Sequence, residues 1–246
     1  MQFADIIGQK ETKQQLAELV QHNRLSHALL FLGKEGSGSL SLAIAFAQYV
    51  VCEKVNGGKS GVGSQESGPS LFGEPENSNV EPPTLNDSCG VCPACQKAQQ
   101  LIHPDIHFSY PTVTKKPGEK PVATDFITDW REFVKLSPYG NSYDWIEQIK
   151  EKENSQGKIT AEECNDIIRK LSLKSFESVY KILIMWMPEM LGTEGNKLLK
   201  LIEEPPPNTL FILVTENEAQ VLQTIVSRCQ LVKIPSLETS EIEEAL

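Results

Sequence analysis

No apolar run in this 246-residue sequence comes near the roughly 20 residues a membrane-spanning helix requires. The most apolar stretches, Ala28–Leu32 and Ile182–Met187, are far shorter. The segment Met1–Lys10 is mixed polar and lacks a signal-peptide pattern. Both absences predict a cytoplasmic protein with no membrane partner. Positive charge is also scarce: 23 Lys and Arg stand against 33 Asp and Glu, for a formal net charge of −10. A free-standing nucleic-acid binder would carry the opposite balance, although a subunit of a larger nucleic-acid machine need not. Only six cysteines are present. In a reducing compartment they are expected to be thiols or metal ligands rather than disulfides. With 39% hydrophobic and 23% charged residues the chain has a globular composition.

Strand and helix patterns alternate along the chain. Strands are expected at His27–Leu32, Ile106–Tyr110, Val179–Met187, Thr209–Thr215 and Cys229–Ile234. Helices are expected at Thr12–His22, Ser39–Val51, Pro93–Ile102, Asp125–Leu136, Tyr143–Lys152, from Ala161, at Gly195–Glu203 and at Glu218–Val226. Ser39–Val51 is apolar on most sides and should be deeply packed. Thr160 and Glu163 form a capping-box pattern. Units of this kind imply an α/β fold with a parallel sheet flanked by helices. Asn56–Ser88 breaks the pattern. Gly, Pro, Ser and Asn supply 20 of its 33 residues, which predicts a flexible insertion too poor in apolar groups to fold.

Between the first strand and the helix after it lies Gly33-Lys-Glu-Gly-Ser-Gly-Ser-Leu40. Gly33, Gly36 and Gly38 suit a phosphate-binding loop, whose backbone must approach an anion closely. The side chains do not suit it. Lys followed by Ser or Thr should come after the last glycine, to neutralise phosphate and to hold Mg²⁺; Ser39 and Leu40 stand there instead. Lys34 sits at the wrong end to substitute. Such ATPases also carry an acidic pair at the end of a hydrophobic strand. In Lys181–Leu191 those positions hold Trp186 and Met187, and Glu189 comes two residues late, beyond a proline. Two parts of one catalytic site are missing together.

Cys89-Gly-Val-Cys-Pro-Ala-Cys95 places three thiols at two-residue gaps, and Cys52 can supply a fourth. Four thiolates suit structural zinc. An iron–sulfur cluster is the rival, but its motif wants a fourth cysteine followed by proline shortly afterwards; reduced free thiols are the bland reading. His103 and His107 are expected in the turn and strand of His103-Pro-Asp-Ile-His107. Cys164 and Cys229 read as small buried residues on a helix and a strand.

Phe3–Gln9, Arg24–Gly33, Cys52 with Cys89–Cys95, His103-Pro-Asp105, Asn196–Pro206, Phe211–Thr215 and Ser227-Arg-Cys229 together resemble a bacterial clamp-loader subunit of the AAA+ family. The blocks run in order through residues 1–235. Two subunit types share this framework. The gamma/tau motor keeps the loop lysine and the acidic pair; the delta-prime type lacks a working ATP site. Ser39, Leu40, Trp186 and Met187 make the chain similar to the delta-prime type of the DNA polymerase III holoenzyme.

The resemblance implies an AAA+ core over 1–235, with a zinc module at 52–102 and insertions at 56–88 and 112–157. Residues 236–246 would begin a helical lid, with a collar domain to follow in a longer chain. It implies no intrinsic ATPase and ATP left unhydrolysed. The partners would be gamma/tau and delta subunits, and through them the sliding clamp and primed DNA. Arg228 would be an arginine finger acting in trans on a neighbouring ATP site; without the resemblance, an arginine paired with a local acid is the simpler reading. Thr215 matches a sensor position. The alternatives are an active gamma/tau-like ATPase with an atypical loop, or a zinc-organised scaffold outside replication. Lys115, Lys116 and Lys120 read as a solvated loop, and Phe126, Trp130 and Phe133 as a packing face. Glu203-Glu204, acids at a helix end that oppose its dipole, hint at a tertiary or interface role. Arg24 and His27 match the family block, but His27 reads equally well as a core histidine.

Overall fold

The computed structural model describes residues 1–56, 86–115, 118–151 and 155–245. Most of the expected insertion at 56–88 therefore lies outside the described residues, as does Lys116.

Five strands form one sheet: β1 (Ala28–Gly33), β2 (Ile106–Ser109), β3 (Lys181–Trp186), β4 (Thr209–Thr215) and β5 (Gln230–Ile234). Their order is β2-β3-β4-β1-β5, and every pairing is parallel. Ile184 sits between Phe108 and Ile212, and Leu29 between Ile212 and Gln230. Parallel strands buried on both faces read as continuous apolar runs. Accordingly β3 and β4 are buried along their whole length.

Alternation sorts the strand side chains into two cores. Leu29, Phe31, Ile182, Ile184, Trp186, Ile212 and Val214 face one layer. That layer holds α1 (Lys10–Gln21), α2 (Ser39–Val51), α3 (Pro93–Gln99), α4 (Ile127–Leu136) and α5 (Ser142–Ile149). Leu30, Leu183, Met185, Phe211 and Leu213 face the other. It holds α6 (Ala161–Ser172), α7 (Asn196–Glu203) and α8 (Gln223–Val226). A last helix, α9 (Thr239–Ala245), follows β5. As its composition implies, α2 is buried from Leu40 to Val51.

The stretch 112–157 folds onto the first layer around an aromatic cluster. Trp130 of α4 stacks on Tyr110 at 4.0 Å and meets Trp145 of α5 edge-on at 5.3 Å. Trp186, at the end of β3, lies 5.5 Å from Trp130 and 5.7 Å from Phe133. Phe126, Trp130 and Phe133 are thus a packing face. Lys115 lies over the Phe126 ring at 5.0 Å and pairs with Glu151 at 3.6 Å.

Three local expectations are corrected. The capping box at α6 is only half made. Thr160 accepts the Glu163 N–H at 3.2 Å, but the Glu163 carboxylate turns inward to accept the Ala123 N–H at 2.7 Å. Glu218–Val226 is not one helix. A 3₁₀ turn at Glu218–Gln220, capped by the Asn217 side chain, is followed by extended backbone at Val221 before α8. The break lets Val221 and Ile225 both enter the second core. Finally, Cys229 lies just before β5 and is only partly buried.

Candidate functional site

The chain brings together two sets of chemistry-bearing residues and keeps a third apart. The first set is the cysteine cluster. Cys52 ends α2, and Cys92 caps α3, whose first residue is Pro93. Gly90 takes φ +70°, which lets the chain turn tightly between Cys89 and Cys92. The sulfurs of Cys52, Cys89, Cys92 and Cys95 all lie within 4.8 Å of one another, and those of Cys89 and Cys95 are 3.9 Å apart. Sulfurs bound tetrahedrally at ~2.3 Å from a zinc ion stand about 3.8 Å apart. Backbone N–H groups already point at the cluster: Cys89 donates to Cys52 Sγ and Cys92 to Cys89 Sγ, each at 3.4 Å. The Cys52 thiol is pulled well below the usual range by its hydrogen bond with Cys95, helped by backbone donors. The same bond pushes Cys95 up, since it must give the proton. Burial raises Cys92. The donor set fits a four-thiolate metal ion, with three of the sulfurs on buried residues. His103 and His107 belong to the turn and strand as expected. Buried His103 accepts the Asp105 N–H at 3.1 Å and faces Glu177 at 3.3 Å.

The second set is the glycine loop and the end of β3. Gly36 and Gly38 take φ near +75°, and Gly38 caps α2, so the backbone keeps the strand–loop–helix form of a phosphate loop. Ser39 and Leu40 open the helix, and Leu40 is buried. Trp186 and Met187 are both buried in the first core, where an acidic pair would have to face solvent and Mg²⁺. Glu189 reaches the end of β4: its carboxylate accepts the Thr215 hydroxyl at 2.9 Å, and burial raises its pKa. Nothing in the spacing signals that pairing, because a left-handed residue at Met187 redirects the chain after β3.

Arg228 stands apart from both. It follows α8 and precedes β5, level with the start of β1, whereas the glycine loop follows the end of β1. One five-residue strand, about 16 Å, separates the two ends. Arg228 therefore sits at the opposite end of the strands from its own loop. Its guanidinium donates to the Thr224 carbonyl at 2.6 Å and pairs with Glu203 at the end of α7. The local ion pair weighed from the sequence is present. It also accounts for Glu203 at a helix end, where an acid alone opposes the dipole.

Residues 8–70 and 58–238 match the family described as DNA polymerase III, delta subunit. The chain belongs to that clamp-loader family. It is 26% identical to the DNA polymerase III subunit delta' of Bacillus subtilis (strain 168), over 92% of this chain and 47% of that protein. With the delta' subunit of Escherichia coli (strain K12) it shares 23% identity, over 89% of this chain and 45% of the relative. The tau subunit of Bacillus subtilis is also similar, at 26% over 93% of this chain and 28% of its own length. The chain spans less than half the length of these relatives of the DNA polymerase III family. A gamma subunit-related protein from Thermotoga maritima aligns with 92% of the chain and 47% of its own, at 15% identity and TM-score 0.47. Among the described residues no helix is long and apolar enough to cross a membrane.

Proposed function

We propose that this chain is a non-hydrolysing, delta-prime-type member of the clamp loader that contributes Arg228 to a neighbouring motor subunit. One observation carries the reading. The lysine and hydroxyl of the loop and the acidic pair of β3 are replaced together, and Trp186 and Met187 are built into the core. A loop without its lysine leaves phosphate charge unneutralised, and without the hydroxyl and acids Mg²⁺ has no seat.

Arg228 cannot serve its own loop, being at the far end of the strands, but that placement suits the ATP site of a neighbouring subunit. There the guanidinium would exchange the Glu203 carboxylate for phosphate oxygens and stabilise charge that develops on phosphoryl transfer. The partners are gamma/tau and delta subunits, and the work of the assembly is to open the sliding clamp and place it on primed DNA. Cys52, Cys89, Cys92 and Cys95 would hold a structural zinc ion. A closed four-thiolate zinc supplies folding energy and no open position for chemistry. The ion would tie the end of α2 to the start of α3.

The deciding experiment is Mg-ATP turnover by the purified chain alone, then by a gamma/tau–delta assembly with and without it. The expected result is no turnover alone and a rise on its addition to the assembly. Hydrolysis that survives further purification of the isolated chain would overturn the proposal.

A further inference from the structure

We infer that the insertion at 112–157 supplies a built-in occupant of the remnant nucleotide site, with Pro138 and Tyr139 filling the space before the glycine loop. This deepens the reading above, since it takes Gly33–Leu40 as a remnant phosphate loop.

Ser137–Asn141 joins α4 to α5 and touches that loop at two points, the first turn of α2 at a third and the N-terminal segment at a fourth. The Tyr139 ring rests against Gly38. A Cβ added to Gly38 would come within 2.6 Å of Tyr139 Cε1 and 3.3 Å of Cδ1. The Tyr139 hydroxyl accepts the Ile7 N–H at 2.8 Å, so the side chain bridges the N-terminal segment and the loop. The Ser41 hydroxyl, in the first turn of α2, donates to the Pro138 carbonyl. The Asn141 amide donates to the Glu35 carboxylate at 2.5 Å. A phosphate would need the backbone at Gly38 and the free N–H groups that start α2. An aromatic ring against Gly38 takes that line of approach.

The occupant is held from behind by the residue that replaced a catalytic acid. Trp186 packs at a tilt against Trp130 and Phe133 of α4, and Phe133 in turn backs Gly140. A Cβ on Gly140 would meet Phe133 Cζ at 2.8 Å, so the turn closes this tightly only with glycine. Loss of the acid and closure of the pocket are thus one packing arrangement. The local charge agrees with it. Glu216 is raised by burial and then by the neighbouring carboxylates Glu35 and Glu189, a setting that repels polyphosphate.

Hydrogen exchange on this chain tests the inference. The amides of Ser39, Leu40 and Ser41 lack carbonyl partners within α2, so their exchange reports what covers them. Tyr139→Ala should speed exchange at Ile7 and across Gly36–Ser41 by about tenfold or more, with the helical circular dichroism unchanged. Tyr139→Phe keeps the ring but loses the hydroxyl, and should release the Ile7 amide alone. Unchanged exchange at both places in Tyr139→Ala would overturn the inference while leaving the non-hydrolysing role intact. Binding of a fluorescent ATP analogue by Ser39→Lys/Leu40→Thr with Tyr139 in place would overturn it too. ATP turnover by the unaltered chain would instead defeat the role proposed above.

Discussion

Arg228 shows how one side chain holds two readings at once. In this chain it is tied to Glu203 and the Thr224 carbonyl; in the proposed assembly it would exchange that pairing for a neighbour's phosphate. Arg228→Ala should leave the chain folded and lower ATP turnover of the assembled loader by ~10³-fold at the affected site. Glu203→Ala should cost under about 1 kcal/mol in urea unfolding, because an exposed ion pair contributes little. An assembly whose rate ignores Arg228→Ala would remove that residue from the mechanism. His107 makes a different residue-level prediction. Burial, then Lys170, depresses its pKa from 6.5 to about 4. A histidine depressed in the folded state stabilises the fold above its unfolded pKa, and that stability drains away as pH falls through the folded value. Urea midpoints should therefore drop between pH 6.5 and 4, and His107→Phe should flatten that part of the profile. Sequence pattern made Arg228 visible, but not its partner. Glu203 lies 25 residues away, and only the packing of α7 beside α8 joins them.

Elements were legible where a single force sets them. Ser39–Val51 and Thr209–Thr215 match their expected limits because burial on all sides leaves one pattern to read. Glu218–Val226 misled because local helix periodicity competed with an Asn217 cap and lost. The cysteine knuckle was readable from spacing, and even Cys52, 37 residues from Cys89, arrives within reach. That arrangement predicts one zinc per chain by elemental analysis, lost in Cys92→Ser; iron in its place would refute the assignment. Chelation should lower the melting temperature, since metal affinity is folding energy for such a site. Within 112–157 the aromatic spacing announced a packing face, and Trp130→Ala should cost roughly 3–5 kcal/mol. The destination of the loop between α4 and α5 was not legible. Its contacts with Ile7, Gly38 and Ser41 span about a hundred residues or more, and no local rule encodes them.

At the scale of the whole molecule, the parallel sheet gives the chain two unlike ends. One carries a glycine loop in contact with the turn between α4 and α5, the other an arginine paired with Glu203 at the surface. The strand order followed only from the structure, because the same alternation of strands and helices permits several orders. Trp186 has a consequence for stability. In an active ATPase that strand end carries an acid. Here it carries the indole against which α4 is packed. Trp186→Asp would not revive a catalyst; it would place an unpaired carboxylate inside an aromatic core and open a cavity beside it. The expected outcome is a large loss of stability in urea unfolding, without any gain in ATP turnover. Trp186 is in this sense a keystone: a change at the end of β3 must be matched by a change in α4.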